Sequence, residues 1–201
     1  MKQAVFVMMQ QFSDWEGAYL TSQLNAADNW QVKTASDNQY VKSIGGLNVR
    51  VDYLLEDIPD DINLLVLIGG NSWNLNSKRL KTTISKTLND PDKTVAAICG
   101  AVDYLARNGL LNKYRHTGNA VYLWKDYSEY TNQKCFERKQ SVVDQNLITA
   151  NGTAPLEFTE RVLNNIHFDT PTSIHKSVNL YRIGYYQYIS RYGDPFGNSH
   201  D

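Results

Sequence analysis

The 201-residue sequence predicts an α/β sandwich, in which two layers of helices cover a mainly parallel β-sheet. Two observations carry this prediction. Short apolar runs alternate along almost the whole chain with segments that have helical spacing. Residues 5–9, 63–70 and 94–98 are largely apolar without alternation, which is typical of strands covered on both faces.

The predicted strands are short and end at turn residues. Gly45 and Gly46 are the dipeptide expected at a tight hairpin turn, and we expect this hairpin at the edge of the sheet. A second hairpin is expected to turn at Asp144 and Gln145. Single strands are predicted at 5–9, 31–36, 63–70 and 94–98, and the two hairpins at 40–55 and 141–150.

Each predicted helix combines helical spacing of apolar residues with a boundary signal. Ser13 or Asp14 is a suitable N-cap for the first helix. Pro91 follows the second, Gly109 is placed to end the third, and Pro155 stands in the first turn of the fourth. The helices are predicted at 16–27, 78–88, 100–108 and 155–165.

The last thirty residues differ from the rest. Residues 172–201 form a Tyr-rich C-terminal extension with a helical pattern that breaks at Gly193, before Asp194 and Pro195. We interpret this extension as an added helical segment, either laid on the core or part of a homodimer contact.

Composition limits the class of protein. One domain is predicted for residues 1–201, because the chain supports one sizeable core and contains no internal linker. The 20 basic and 21 acidic residues give a net charge of −1 without a Lys/Arg cluster, so neither a nucleic acid nor a membrane is expected as partner. The N-terminus has no signal-peptide pattern, and Cys99 and Cys135 have neither disulfide-framework nor metal-ligand spacing. We expect a cytoplasmic protein with two free thiols and without a metal ion or other cofactor.

Cys99 is the candidate reactive residue. It lies between a predicted strand and a predicted helix, at a turn that projects its side chain into the crevice where parallel strands end. The helix N-terminus offers partial positive charge and free N–H groups. We therefore expect the thiol to ionise more readily than usual, and the amides of Gly100 and Ala101 to stabilise an oxyanion. From position alone an inert, packed cysteine remains the alternative.

Several segments carry a family resemblance. They are "AAICGA" around Cys99, "LLVLIGGN" some thirty residues earlier, Glu16 in the first loop, and "ITANGTAPLEFTERVL" near the end. In this order they resemble the ThiJ/PfpI superfamily, which has the class I glutamine amidotransferase-like, flavodoxin-like fold, over about residues 2–166. The resemblance implies that Cys99 is a nucleophile, that Glu16 is an acid hydrogen-bonded to it, and that Gly70 supplies an oxyanion-hole amide.

The sequence departs from the family pattern at the positions where other members have a histidine that can act as a base. Gly100 stands where members similar to the intracellular peptidase have a histidine, and "GTAPLEF" lacks the His-x-Glu pair of true glutamine amidotransferases. Both activities are therefore disfavoured. "YRHTGNAV" places Thr117, Gly118 and Asn119 where other members have a pattern like Thr-Thr-His. His116 precedes them, and we expect its side chain to point the opposite way.

The remaining candidates are expected around the same crevice. Trp15 is interpreted as a pocket wall or an ordinary rim residue, and Asn71 and Asn119 as substrate-binding residues or loop residues. Glu16 has a second interpretation as an acid that only complements a helix N-terminus.

Three functions are compatible with these residues. The first is a cysteine-dependent hydrolase, lyase or amidase-like enzyme, in which the Cys99 thiolate attacks a small carbonyl-type electrophile. The second is a non-catalytic sensor of oxidative stress, in which Cys99 forms a sulfenic or sulfinic acid held by Glu16. The third is a stress-related, chaperone-like protein that uses its aromatic C-terminal extension.

Overall fold

A seven-stranded sheet forms the centre of the computed structural model, which describes residues 1–197. The strands of this sheet are β1 (Lys2–Met8), β2 (Trp30–Ser36), β5 (Tyr53–Leu54), β6 (Leu64–Ile68), β7 (Thr94–Ile98), β8 (Ser141–Asp144) and β9 (Leu147–Ala150). Their order in the sheet is β5-β2-β1-β6-β7-β9-β8, and every pairing is parallel except that of β8 with β9.

Helices cover both faces of the sheet. Helices α1 (Asp14–Asn25) and α4 (Pro155–Asn165) bury apolar side chains on one face, and α2 (Lys78–Leu88) and α3 (Gly100–Arg107) do so on the other. Every residue of β6 and β7 is buried, as their apolar sequences predict. The predicted flavodoxin-like, three-layer α/β sandwich is confirmed.

The first hairpin forms, but not where it was expected. Strands β3 (Tyr40–Lys42) and β4 (Asn48–Arg50) pair as a separate two-stranded sheet, and the short strand β5 occupies the edge beside β2. The connection is a five-residue loop, Ser43 to Leu47, rather than a tight two-residue turn. The Asp14 carboxylate accepts the Gly45 N–H at 2.7 Å and so holds the loop against the start of α1. This tertiary contact, which local sequence does not encode, takes the hairpin away from the sheet edge.

The second hairpin also differs from the prediction. The β8–β9 turn lies at Gln145 and Asn146, one residue later than predicted, and Gln145 has a φ of 54°. The Asn146 side-chain amide donates to backbone carbonyls of the α2–β7 connection, Leu88 O among them at 3.2 Å, and this fixes the turn's position.

The C-terminal extension forms two helices instead of one. They are α5 (Pro171–Ile183) and α6 (Tyr185–Tyr192), separated by Gly184 at a φ of 80°. Helix α5 packs on α4 and α1, with Ile174 buried and the Tyr181 ring 4.9 Å from that of Tyr19. Helix α5 therefore lies on the core. Residues 198–201 of the predicted extension lie outside the described residues, and the part of the extension in a homodimer stays a prediction.

The fold brings the carboxyl ends of β1, β6, β7 and β9 to one edge of the sheet. Gly70, Cys99 and Gly152 lie in the loops that follow β6, β7 and β9, and Glu16 lies in the first turn of α1, which follows β1. No helix within residues 1–197 is long and apolar enough to cross a membrane.

Candidate active site

Cys99 occupies a strained turn between β7 and α3. Its φ of 58° and ψ of −129° lie in a region that residues with a side chain rarely adopt. The Cys99 N–H still donates to Ala150 O on β9 at 3.0 Å, so the sheet holds the turn in place. The thiol is half-buried at the N-terminus of α3, where the sequence places it.

Two glycines allow the neighbouring loops to close around the cysteine. A Cβ at Gly69 would lie 2.5 Å from Cys99 Cβ, and one at Gly152 would lie 2.8 Å from Cys99 Sγ. Real Cβ atoms do not come this close to their neighbours, so both positions require glycine for the present geometry. Gly152 lies in the loop that follows β9, and Gly69 lies in the loop that follows β6.

Glu16 lies beneath the thiol and is completely buried. Its Oε2 accepts the Gly69 N–H at 2.8 Å. Its Oε1 is buried and has no hydrogen-bond partner of ordinary length among residues 1–197; it lies beside the thiol, since both flank Gly152. Burial raises the pKa of the Glu16 carboxyl, and hydrogen bonds from its surroundings offset this only in part. A proton on Glu16 belongs on Oε1, because Oε2 is already an acceptor.

The surroundings raise the pKa of the Cys99 thiol. Burial is the largest cause and the negative charge of Glu16 is the next, while hydrogen bonds from Asn119 and the Gly100 N–H lower the pKa. This direction is opposite to the one expected from the helix N-terminus alone. The expectation was wrong because it left out the cost of charging a half-buried thiol beside a carboxyl group.

Asn119 reaches the thiol from the segment after α3. Its Nδ2 donates to Cys99 Sγ at 3.3 Å, and its Oδ1 accepts the Gly152 N–H at 2.9 Å. The second bond fixes which end of the amide faces the sulfur. An amide donor thus stands where the resemblance suggests a histidine in other members, and an amide neither takes up nor releases a proton at neutral pH.

The predicted oxyanion-hole residues lie around the start of α3. The Gly100 N–H hydrogen-bonds to the thiol, and Ala101 follows it in the buried first turn of the helix. The Gly70 peptide lies against Gly100, since a Cβ at 100 would come 2.6 Å from Gly70 O and 3.7 Å from Gly70 N. The structure brings these residues together, and their roles toward a substrate stay predictions.

Trp15 and Asn71 are placed differently. The Trp15 side chain is 47% exposed, and its indole N–H lies 3.5 Å from Gly152 O, above the loop that touches the thiol. Asn71 donates its backbone N–H to Gln11 O and lines a separate hollow beside the β3–β4 loop. Its predicted role in substrate binding therefore has no contact with Cys99 to support it.

His116 does not reach the thiol. It is fully buried, with Nδ1 2.8 Å from Tyr114 O and Nε2 2.8 Å from the Tyr130 hydroxyl. Burial lowers the pKa of its imidazole, which favours the neutral form. Within residues 1–197 no histidine lies within hydrogen-bond distance of Cys99 Sγ.

The second cysteine lies apart from this site. Cys135 is a half-buried free thiol in the 133–135 turn. No group of three His, Cys, Asp or Glu side chains in the described part of the chain is arranged to hold a metal ion.

A parallel α/β sandwich with a cysteine on a strained strand-to-helix turn and a buried glutamate beneath it defines a class of cysteine-containing, amidotransferase-like proteins. The chain belongs to the DJ-1/PfpI family, whose sequence profile matches residues 2–165.

Two curated relatives come from Bacillus subtilis (strain 168). The chain is 50% identical over 196 residues to the one named "Uncharacterized protease YdeA", covering 98% of this chain and 99% of the relative. It is 33% identical over 181 residues to "Uncharacterized protease YoaZ", covering 84% of this chain and 85% of the relative.

Solved structures share the fold over nearly the whole chain. The DJ-1 superfamily protein Atu0886 from Agrobacterium tumefaciens is 29% identical with a TM-score of 0.83, covering 91% of this chain and 98% of that one. A thiJ/pfpI family protein from Bacillus anthracis is 32% identical with a TM-score of 0.82, covering 94% of both chains.

Proposed function

We propose that this protein is a cysteine-dependent enzyme that acts on a small carbonyl-type electrophile. Cys99 is the nucleophile and Glu16 the acid that hydrogen-bonds beside it. The observation that carries the proposal is the set of groups around the thiol: a carboxyl with a raised pKa, a fixed amide donor and a helix N-terminus. Family membership supports the same assignment.

The proposed reaction begins with addition of the Cys99 thiol to the carbonyl group of the substrate. The sulfur attacks the carbonyl carbon, a C–S bond forms, and the π pair of the C=O bond moves to oxygen, which takes up the proton lost by the thiol. Glu16 is placed to relay that proton through Oε1, and the Gly100 N–H is placed to stabilise the developing oxyanion. The product of this step is a hemithioacetal. With a glyoxal, a proton shift from the hemithioacetal carbon to the neighbouring carbonyl carbon converts it to the thioester of a hydroxy acid, and attack by water releases the acid and regenerates the thiol.

Peptide hydrolysis fits this site less well than addition to an aldehyde. Expulsion of an amine requires a general acid that protonates the leaving nitrogen, usually an imidazole. Here Asn119 occupies the place beside the sulfur, and His116 is engaged with Tyr114 and Tyr130. The names of the Bacillus subtilis relatives contain the word protease, so peptides belong in the substrate panel.

The test is a panel of glyoxals, simple amides and short peptides, assayed with the parent protein, C99S and C135S. C135S is a matched control, because both cysteines are half-buried free thiols and only Cys99 has Glu16 beside it. We expect the parent and C135S to consume a glyoxal beyond one equivalent per protein, and C99S to lose this activity. Equal consumption by C99S and the parent would exclude Cys99 as the nucleophile.

A second candidate function rests on the free Oε1 of Glu16. When protonated, this atom is placed to donate to an oxygen added to the neighbouring sulfur, which would hold a sulfenic or sulfinic acid and make Cys99 a sensor of oxidants. Mass spectrometry after mild peroxide treatment separates the two functions. The sensor predicts oxidation of Cys99 before Cys135 and no glyoxal turnover by the reduced protein, and an unmodified Cys99 would exclude it.

A further inference from the structure

A surface hollow next to Asn119 is the feature from which the class of substrate is inferred. It has a volume of about 460 Å³ and is lined by the segment after α3 and by residues 136–140. Asn119 belongs both to its wall and to the contacts of Cys99 Sγ. The hollow itself does not include Cys99, and Asn119 is the residue that links the two.

The charged residues that line the hollow are both basic. Arg138 and Lys139 are its only charged lining residues within the described chain. Lys139 is neutralised, because its Nζ lies 2.6 Å from a Glu137 carboxylate oxygen. The guanidinium of Arg138 has neither an ion pair nor a hydrogen-bond partner within residues 1–197. One uncompensated positive charge therefore faces the hollow.

The polar side chains nearby are already occupied. Asn151 Nδ2 donates to Gln140 Oε1 at 2.6 Å, and Thr153 Oγ1 donates to Asn151 Oδ1 at 2.6 Å. These bonds leave the five N–H donors of Arg138 as the main unused donors of the lining. A guanidinium matches the two oxygens of a carboxylate in a bidentate pair.

We propose that this hollow binds the carboxylate end of a substrate whose carbonyl group reaches Cys99, so that the substrate class is a small aldehydic or keto acid. A monoanion matches the single free charge, whereas a phosphate dianion would bring two negative charges against one guanidinium. The exposed ring of Tyr122 and the side chain of Val121 form an apolar wall for the carbon chain of such an acid. The proposal rests on the proposed function for its chemical step, but the binding of the anion is testable without turnover.

The test compares two alkylating reagents of nearly the same shape. Iodoacetate carries a carboxylate and iodoacetamide a neutral amide, so the ratio of their rates at Cys99 reports attraction of an anion and cancels changes in thiol pKa. The measurements use C135S as the parent protein, at low ionic strength to limit screening. The variants are R138Q, the charge-retaining R138K, and K134Q, which removes an exposed charge on the same segment but outside the hollow.

We expect R138Q to lower the iodoacetate-to-iodoacetamide ratio about fivefold, the factor that one unit charge at about 4 Å gives in water. R138K retains most of the ratio and K134Q leaves it unchanged. Propionate, a monoanion, at millimolar concentration slows iodoacetate in the parent but not in R138Q. An unchanged ratio in R138Q, or an equal drop in K134Q, would overturn the proposal.

If neither reagent labels Cys99, a second measurement tests binding of the anion directly. In a propionate titration followed by NMR, saturable shifts of the Gly118 and Asn119 amides that disappear in R138Q support binding of the carboxylate in the hollow. Shifts that persist in R138Q overturn it. If the hollow binds propionate and no carbonyl compound is turned over, the proposed function fails while the anion site stands.

Discussion

The side-chain amide of Asn119 connects the sulfur of Cys99 to the loop after β9. Its Nδ2 lies 3.3 Å from Cys99 Sγ, and its Oδ1 accepts the Gly152 N–H at 2.9 Å. The backbone of one loop thus sets the orientation of the donor that faces the thiol. Asn119 is a positioning residue that stabilises the thiolate without exchanging a proton with it.

Removal of this donor should make the thiol harder to ionise. In N119A the hydrogen bond that lowers the pKa of Cys99 is lost, so the pH midpoint of Cys99 alkylation by iodoacetamide moves upward. Loss of the two hydrogen bonds also costs about 1–3 kcal/mol of unfolding free energy. N71A is the matched control, since Asn71 lies in a different hollow. A midpoint that stays in place or moves down in N119A would show that Asn119 does not stabilise the thiolate.

Neutralisation of Glu16 should have the opposite effect on the thiol. The charge of Glu16 raises the pKa of Cys99, so E16Q moves the alkylation midpoint to lower pH. The control is D28N, which removes an exposed carboxylate outside the site. An upward shift in E16Q would mean that proton donation by Glu16 to the thiolate outweighs its charge.

The same substitution should alter the dependence of stability on pH. Burial raises the pKa of Glu16 above its unfolded value, so the folded protein binds the proton more tightly than the unfolded chain. Stability from this group is therefore fully present below the unfolded pKa and is lost as pH rises through the folded pKa. Denaturant unfolding should show that the stability of E16Q relative to the parent increases from pH 4 to pH 8. A difference that is constant or decreases over this range would contradict the raised pKa.

Gly152 is predicted to be intolerant of a methyl group because of Cys99. G152A places a Cβ 2.8 Å from Cys99 Sγ, and such overpacking costs about 1–3 kcal/mol. The double variant C99A/G152A is the control, since it removes the sulfur that the methyl group meets. In a double-mutant cycle the cost of G152A should fall in the C99A background. The same cost in both backgrounds would place the strain in the loop rather than at the thiol.

The sequence predicts the layers and the cysteine turn because local pattern determines them. Strands β6 and β7 are short apolar runs buried on both faces, and helix α2 has the predicted bounds at Lys78 and Leu88. Cys99 and Gly100 directly follow Ile98, the last residue of β7, and begin the predicted turn. The order of the parallel strands then brings Glu16, Gly70 and Cys99 to one edge, as the family resemblance implies.

The parts that the sequence did not predict depend on contacts between distant segments. The β3–β4 hairpin is held by Asp14, and the pKa of Cys99 depends on burial and on Glu16. Lys139 looks as free as Arg138 in the sequence, but only the structure shows that Glu137 neutralises it. No local pattern contains this information.

The most direct test of the central claim is to titrate the thiols while activity is followed. Iodoacetamide is added in substoichiometric steps, and at each step residual glyoxal consumption is compared with the modified fractions of Cys99 and Cys135 from peptide mass spectrometry. We predict that activity falls in proportion to modification of Cys99 and reaches zero when Cys99 is fully modified, whatever the state of Cys135. Activity that survives complete modification of Cys99 would contradict the assignment of Cys99 as the nucleophile.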